Sequence, residues 1–394
     1  MLRARILGSM TEARAAEWNA LGLGGRPFLR HEFLAAAERS GSATAATGWT
    51  PAHVVVESGC SLVGAMPLYL KTHSWGEFVF DFAWARAYEQ HGLHYYPKLV
   101  AAAPFTPASG PRLLVLPGCD AAEVRRALLD AARQVARASG ASSLHVLFAD
   151  GVDRDWLAGQ GLLPRLDCQF HWNNPGYADF EDFLATFTAE KRKKARRERR
   201  RVAESGIRFV ELHGGDLDAV LLETVYGLHA RTFAERGNPP YFTLAFFREL
   251  AAALPGALMV KLAVLRGEPV ACAVFLRGED TLYGRYWGAT GDFHSLHFEA
   301  CYYQGIDYCI REGLRRFEPG TQGEHKVARG FVPEPVWSLH EILHPGFRAA
   351  IADYLGRERR HVEAYMDAVR EHVPFRQAAP AATLHVDVGS DATQ

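Results

Sequence analysis

One order of secondary-structure elements is predicted twice along this 394-residue chain, and the repetition limits the fold more than any other feature. Each half has strand-like runs separated by turns, then an amphipathic helix, then a further strand. In the first half these are the hairpin 53–57 and 62–70, the helix 121–138 and the strand 144–148. In the second half they are the strands 259–265, 269–277 and 281–287, the helix 298–312 and the strands 315–318 and 336–343. The pattern predicts an α/β (α+β) chain of two domains, each a twisted mixed sheet flanked by helices.

A turn cluster, Asn173-Asn174-Pro175-Gly176, marks the expected boundary between the halves. We therefore predict an N-terminal domain over 1–174 and a C-terminal domain over 175–375. Hydrophobic residues make up 48% of the chain, which is enough to fill two cores. Residues 376–394 are small and polar, and we expect a disordered tail there.

The cysteines and the apolar runs indicate the compartment. The chain has six cysteines and no CxxC pair, which favours reduced, buried thiols in a reducing compartment. No run has the length of a signal peptide or of a membrane-spanning helix. The expected location is the cytoplasm, without integral membrane contact.

The positive charge of the chain is concentrated in one block, Glu190–Arg201. Nine Lys or Arg stand there against two Glu, in a chain whose formal net charge is −1. Phe180, Phe183, Leu184 and Phe187 precede the block at spacings that place them on one helical face. The pattern predicts a helix over about 180–204, at the junction of the halves, which is packed at its start and polycationic at its end.

A stripe of like charges repels itself, and an anionic partner would explain it. Nucleic acid, a phosphate-rich cofactor, an anionic membrane and an acidic patch of the chain are the alternatives, beside a helix face that is merely solvated. We predict a nucleic-acid or carrier site. The residues assigned to it are Lys191, Arg192, Lys193, Lys194, Arg196, Arg197 and Arg200.

Four longer sequence segments indicate a resemblance to a known protein family. They are YEQHGLHYYPKLVAAAPFTPASGPRLL (88–114), GNPPYF (237–242), LHFEACYYQGIDYCI (296–310) and QGEHKVARGF (322–331). With them the chain resembles the FemAB-like group of tandem acetyltransferase-fold (GNAT) proteins, the peptidoglycan biosynthesis/recognition group. The resemblance implies two GNAT-like domains and a basic helical insertion. It also implies transfer of an aminoacyl group from a charged tRNA to an amine.

One feature of acetyl-CoA-dependent relatives is missing. Their Arg/Gln-x-x-Gly-x-Gly/Ala loop holds the pyrophosphate on backbone N–H groups at a helix N-terminus. The corresponding segments here read ATGDFHSLHFEA and LVLPGCDAAEV, and neither has the glycine spacing. This favours a donor held by side chains, because phosphate contacts to a cationic helix need no glycine loop.

Catalytic candidates come partly from the fold that the resemblance implies. In that fold a backbone N–H on a splayed central strand polarises the carbonyl, here within Gly284–Gly288 and beside Tyr286. His297 and Glu299 are candidate general bases, against helix capping, packing or a metal site. Asp81 stands in an aromatic run, which predicts a raised pKa and a role as base or amine anchor, against a structural acid.

Substrate-binding candidates lie in both halves. His325, Lys326 and Arg329 could hold a phosphate or carboxylate, against surface charge or an ion pair with Glu324. In the first half, aromatic and polar residues precede or lie in a proline-bracketed loop and could form an acceptor cleft, against an aromatic core. Those residues are Tyr95, Tyr96, Lys98 and Thr106.

Three functions follow from these observations. The favoured one is an N-acyltransferase that uses aminoacyl-tRNA, with a small-molecule, peptide or cell-wall precursor amine as acceptor. The second is an N-acyltransferase that uses acyl-CoA or an acyl carrier protein. The third is a non-catalytic binding protein on a degenerate GNAT fold. We expect no tightly bound cofactor and no metal, and the sequence leaves the oligomeric state open.

Overall fold

The structure is a computed structural model, and it describes residues 2–321 and 323–376. The fifteen strands of the described chain are β1 (Leu2–Leu7), β2 (Trp49–Pro51), β3 (His53–Ser58), β4 (Ser61–Met66), β5 (Leu68–Lys71), β6 (Lys98–Ala101), β7 (Leu114–Val115), β8 (Ser143–Ala149), β9 (Leu163–Asn173), β10 (Arg208–His213), β11 (Leu258–Leu265), β12 (Glu268–Arg277), β13 (Thr281–Ala289), β14 (Arg316–Glu318) and β15 (Val332–Ile342).

The α-helices of the described chain are α1 (Ala15–Asn19), α2 (His31–Arg39), α3 (Phe82–Gln90), α4 (Ala121–Ala138), α5 (Gly151–Gly159), α6 (Phe180–Ala185), α7 (Ala189–Glu204), α8 (Ala219–Ala234), α9 (Leu244–Ala253), α10 (Leu296–Phe298), α11 (Gln304–Arg311) and α12 (Pro345–Arg370). A π-helical turn, Glu299–Tyr303, joins α10 to α11. Short 3-10 helices lie at Met10–Glu12, Pro27–Leu29, Ala45–Thr47, Gly214–Asp216 and Glu324–Arg329.

Two sheets carry the fold, with helices on their faces. One has four strands in the order β1-β3-β4-β7, and the other has eleven in the order β10-β11-β12-β13-β14-β9-β15-β8-β6-β5-β2. The large sheet is mixed, because β13 pairs with β14 and β6 with β8 in parallel while its other pairs are antiparallel. The halves also share apolar core, since Phe33 of α2 meets Phe242 and Phe246 edge-on. This is the predicted mixed α/β architecture.

The last strand crosses the predicted domain boundary. β15 pairs antiparallel with β9 from Val332 opposite His171 to His340 opposite Leu163, and with β8 on its other edge. The chain from 175 onward therefore supplies a strand to the sheet of the first half. The continuous pattern of backbone hydrogen bonds ties the two halves into one sheet.

Local sequence explains the elements that were predicted well. In α4 the Asp120 side chain accepts hydrogen bonds from the backbone N–H groups of Ala122 and Glu123, and Val124 and Leu128 are buried. This helix has the predicted bounds, 121–138. The predicted second hairpin strand 62–70 is wrong in one respect, because Pro67 separates β4 from β5 and the two belong to different sheets.

The predicted single basic helix over 180–204 is also wrong, because it is two helices. The backbone leaves the helix after Ala185, and the Thr188 N–H donates to the Pro374 carbonyl at 2.8 Å. Phe187 lies in this break and packs edge-on against Phe183 and Phe375. A long-range aromatic contact thus stops the helix where local propensity would continue it.

Two remaining predictions concern the C-terminal tail and the membrane. The predicted tail lies outside the described residues, apart from Arg376. In the described chain, no helix combines the length and apolar character that crossing a membrane requires.

Candidate functional site

In the middle of the second half, the neighbouring strands β13 and β14 pair only at one end and then separate. β13 and β14 pair in parallel from Thr281 opposite Arg316 to Tyr283 opposite Glu318, and no further pairs follow. On its other edge β13 has an irregular register, because Val274 faces Tyr286 while Phe275 faces Gly284, which leaves Arg285 as an extra residue. Such a bulge re-aims the backbone locally. Backbone N–H groups therefore lie at the opening between the strands, around the half-buried Tyr286.

Aromatic and imidazole side chains line up beside this opening. The ring of His297 meets Trp287, Tyr302 and His325 at 5.3, 5.4 and 5.9 Å between centroids. His325 Nε2 and the Tyr302 hydroxyl share a hydrogen bond of 2.7 Å. Burial, followed by the charge of His325, lowers the pKa of His297 to about 4, so its imidazole is neutral at pH 7. Partial burial also lowers the pKa of His325.

Lys326 is the most unusual titratable group near this cluster. Its side chain is buried, and Nζ donates to the Gly320 carbonyl at 2.6 Å. Among residues 2–321 and 323–376, no carboxylate lies within ion-pair distance of it. Burial lowers the pKa of Lys326 to about 7, with the Cys301 thiol opposing the shift. The amine can therefore exchange a proton at neutral pH.

Arg329 and Glu299 connect the centre to the basic helix α7. Arg329 Nη2 donates to the buried Glu198 at 2.8 Å, and Nη1 donates to the His325 carbonyl at 2.6 Å. The ion pair with Glu324 that the sequence left open is not formed, because the guanidinium is turned toward α7. Glu299 lies 3.3 Å from Arg199, so this candidate base is held in an ion pair.

Some cations of the basic helix have an acidic partner in the same chain, and others have none. Arg196 pairs with Glu181, Arg199 with Asp307, and Arg200 with Glu204. Arg196 and Arg200 stay exposed and their ion pairs are on the surface, so their assignment to a partner-binding face remains a prediction. Lys191 and Arg192 are half-buried, and the Arg192 guanidinium points back to the Phe187 carbonyl.

Four other exposed cations of α7 are called the basic ridge here. They are Lys193, Lys194, Arg197 and Arg201. Within the described part of the chain, none of the four has a carboxylate at ion-pair distance, and Arg201 Nη1 meets only His294 Nε2 at 3.2 Å. Positions 193, 197 and 201 follow one another at four-residue spacing, so their charges align along one face of the helix.

The first-half candidates form a buried network instead of lining a cleft. Lys98 Nζ, which is fully buried, donates to Glu77 and Ser74 at 2.8 Å each and also to Asp81. Burial alone would raise the pKa of Asp81, but Lys98 lowers it to about 2. The predicted raised pKa is therefore wrong, since the sequence pattern did not reveal the lysine that faces this carboxylate.

Neighbouring groups complete this network. The Tyr95 hydroxyl donates to Asp81 Oδ2 at 2.6 Å, and Tyr96 shares a hydrogen bond of 2.8 Å with Ser74. Thr106, also buried, donates to the Pro104 carbonyl at 2.8 Å. The first-half candidates therefore bond to one another or to their own loop.

Sequence reasoning missed two features of the site. Phe105 stacks on Tyr241 with centroids 5.2 Å apart, and its carbonyl accepts a hydrogen bond from Arg285. Segments 88–114 and 237–242, which carry the family resemblance, could have indicated this contact, because Phe105 lies in the first and Tyr241 in the second. Glu318, at the last paired position of β14, has no hydrogen-bond partner for either oxygen in the described chain. Burial raises its pKa to about 7, although Arg26 opposes the shift.

Comparison with known proteins identifies the family of this chain. A family model for FemAB-like proteins, described as peptidoglycan biosynthesis/recognition, matches residues 9–377. The chain belongs to the FemAB-like family. No curated protein matches it. Among the described residues, no group of three or more His, Cys, Asp or Glu is arranged to hold a metal ion.

Solved structures similar to this FemAB-like chain share little sequence with it. FemX is 13% identical over 89% of this chain and 100% of its own, with a TM-score of 0.54. L-PGS from Bacillus licheniformis is 11% identical over 89% and 98%, with a TM-score of 0.49. A tandem GNAT protein from the clavulanic acid biosynthesis pathway is 14% identical over 88% and 99%, with a TM-score of 0.45.

The likeness to FemX shows a fold and not a substrate. Over almost the whole of both chains, the fold is that of FemX. The assignment to the FemAB-like family indicates that the chain is an acyltransferase.

Proposed function

We propose that this FemAB-like protein transfers an aminoacyl group from aminoacyl-tRNA to an amine of a peptidoglycan precursor. The basic ridge is the observation that supports the donor. Its four cations have no acidic partner in the described chain, and they follow one helix face that a phosphate backbone can track. The Glu198–Arg329 ion pair fixes the ridge relative to the opening between β13 and β14.

The proposed chemistry uses groups at that opening. The neutral amine of the acceptor attacks the ester carbonyl of the aminoacyl group, and N–H groups of the β13 bulge stabilise the oxyanion. A C–N bond forms, and the C–O bond to the tRNA breaks. The proton lost by the amine reaches the departing oxygen, and Lys326 can relay it because its pKa lies near 7. Arg329 and His325 are proposed to position the donor.

A tRNA-binding measurement tests the donor. We would compare the wild-type protein with the triple variant Lys193→Glu, Arg197→Glu and Arg201→Glu by filter binding between 50 and 200 mM salt. If the four ridge cations contact phosphates, the affinity of the wild type should fall about a hundredfold across this range. The variant should lose measurable binding. Arg126→Glu, which reverses an exposed cation on α4, is the matched control and should bind like the wild type.

Two results would contradict aminoacyl-tRNA as the donor. The first is equal tRNA affinity in the triple variant and in the Arg126→Glu control. The second is transfer from an acyl thioester of CoA or of a carrier protein, without affinity for tRNA. That second result would support the alternative in which the ridge meets CoA phosphates or an acidic carrier.

A further inference from the structure

A cleft of about 490 Å³ lies outside the groups that the proposed chemistry uses. Its walls are β9, α12, the segment after β14 and the loop before α3. A volume in this range suits a ligand of small-molecule size. Its lining includes Phe80, Asp167, Glu324, Glu358 and Tyr365.

The polar part of the cleft is acidic. Three carboxylates line it, and the described lining contains no Lys or Arg. Glu358 is bound to Arg165 at 2.7 Å, and Glu324 accepts a hydrogen bond from the Tyr365 hydroxyl at 2.9 Å. Asp167 accepts one from the Cys168 backbone N–H at 2.7 Å. Asp167 and Glu324 have no cationic partner in the described chain, so the cleft favours ligand groups that donate hydrogen bonds and disfavours anions.

An aromatic patch continues the cleft onto the surface, and we call it the Trp75 patch. It consists of Trp75, Phe80 and Phe82. The first two are 60% and 55% exposed, which is unusual for rings of this size. Phe82 lies between them, with its centroid 5.7 Å from Trp75 and 6.3 Å from Phe80. Phe80 belongs to both features, and Arg165 fixes its backbone by donating to its carbonyl at 3.0 Å.

We propose that the cleft and the Trp75 patch together bind an unphosphorylated saccharide segment of the acceptor. The C–H face of a pyranose ring is apolar and packs on exposed aromatic rings, while its hydroxyl groups donate to carboxylates. The Trp75 patch supplies the first kind of contact, and Asp167, Glu324 and Glu358 supply the second. The inference rests on the proposed function only in taking the ligand to be the acceptor.

The charge of the cleft favours an uncharged saccharide over two alternatives, a nucleotide-linked sugar and an anionic membrane surface. A nucleotide-linked sugar carries a pyrophosphate, which the unpaired carboxylates of Asp167 and Glu324 repel. An anionic membrane surface needs clustered Lys or Arg, and the cleft beside the patch presents acids instead. An uncharged glycan segment packs on the aromatic rings and also donates hydrogen bonds to the carboxylates.

Calorimetric titration of the full-length protein tests the inference with defined probes. Tetra-N-acetylchitotetraose represents the unphosphorylated glycan, UDP-N-acetylglucosamine a phosphorylated sugar, and phosphatidylglycerol vesicles a membrane. We expect the oligosaccharide to bind, and Trp75→Ala and Phe80→Ala each to weaken it about tenfold or more, as truncation of an aromatic anchor does. Val220→Ala removes exposed apolar surface on α8 and should change nothing.

A second variant tests the role of charge. Asp167→Asn keeps the size of the side chain and removes its negative charge, so it should weaken oligosaccharide binding and improve binding of UDP-N-acetylglucosamine. The inference is overturned if the wild type does not bind the oligosaccharide, or if the Trp75 and Phe80 variants bind it as the wild type does. It is also overturned if the phosphorylated sugar binds more tightly, or if Trp75 contributes only to vesicle binding.

These results are independent of the donor. The titrations contain neither tRNA nor an acyl group, so failure of the tRNA measurement would leave them unchanged. Conversely, tRNA binding through the basic ridge with no saccharide binding would remove this inference and leave the proposed function standing.

Discussion

At the scale of single residues, the candidate centre depends on a position in β13 that only glycine can occupy. At Gly288, β13 passes so close to α8 that an added Cβ would lie 1.9 Å from the Leu228 carbonyl oxygen. Two residues earlier is Tyr286, beside the bulge that opens the strand pair. A glycine here permits the close approach that holds β13 in place while its far edge separates from β14.

Substituting Gly288 by Ala should therefore destabilise the protein. The carbonyl belongs to the backbone of α8 and cannot move aside like a flexible side chain, so we expect a loss of about 3 kcal/mol in the free energy of unfolding. Urea denaturation measures it. The control is Gly291→Ala, where an added Cβ meets nothing within 4 Å. Equal stability of the two variants would show that β13 and α8 separate readily.

The buried amine of Lys326 predicts a dependence of stability on pH. Its pKa is about 7 in the folded protein, against 10.5 for a lysine in water, as in the unfolded chain. Between these pH values the unfolded chain holds a proton that the native amine has released, so stability should rise as pH rises from about 7 to about 10. In Lys326→Met this contribution disappears.

Denaturation of the wild type and of Lys326→Met at several pH values across that range measures the difference. Lys193→Met, at an exposed position of α7, is the control and should keep the slope of the wild type. If Lys326→Met also kept that slope, the native amine would be protonated at pH 7, and its proposed proton relay would lose its basis.

At the scale of elements, α7 is informative because its two sides have different partners. Its inner side carries Ala195, Glu198 and Val202, which are buried. Glu198 accepts hydrogen bonds from Arg329 at 2.8 Å and from the Tyr303 hydroxyl at 2.7 Å. The helix is therefore attached to the centre by a buried ion pair, and the outer ridge stays open to a partner.

Replacing Glu198 by Gln tests that attachment. The change leaves the charge of the buried Arg329 uncompensated, which typically costs about 3 kcal/mol of stability. Glu181→Gln is the matched control, because it breaks the exposed Arg196–Glu181 pair, whose side chains are 54% and 60% exposed. Exposed pairs contribute less than about 1 kcal/mol. Thermal denaturation compares the two variants, and similar shifts would mean that Glu198 does not anchor α7.

At the scale of the whole molecule, the two halves share one sheet. β15 comes from the second half and lies between β8 and β9 of the first half. Without it, both neighbouring strands would present unpaired edges, and buried residues such as Leu339 would be missing from the core.

A fragment of residues 1–174 should therefore not fold alone. We expect it to aggregate or to give the circular dichroism of an unfolded chain, because the missing strand leaves two edges and part of a core exposed. Co-expression with residues 175–394 should recover a soluble complex in size-exclusion chromatography. A folded, monomeric 1–174 fragment would support the predicted boundary as a true domain boundary.

Elements with complete local signals were predictable from the amino-acid sequence. In α4 an N-cap and an amphipathic face both lie within a few residues, so its bounds were predicted correctly. The basic run lies in a helix as predicted, although the predicted single helix over 180–204 is two helices. Four sequence segments implied the tandem GNAT fold through the family resemblance. The early end of α6 was not predictable, because Phe187 and Phe375 meet across almost two hundred residues of chain.

Which charges lack a partner and which pKa values shift depends on the three-dimensional fold. Arg196 and Arg197 look alike in the sequence, yet the first forms an exposed ion pair with Glu181 and the second has no carboxylate at ion-pair distance in the described chain. Asp81 has a lowered pKa because Lys98 outweighs the effect of its burial, and Lys326 has a lowered pKa because its amine is buried. Electrostatic interactions act over a few ångströms of space and not of sequence, so the folded chain alone fixes them.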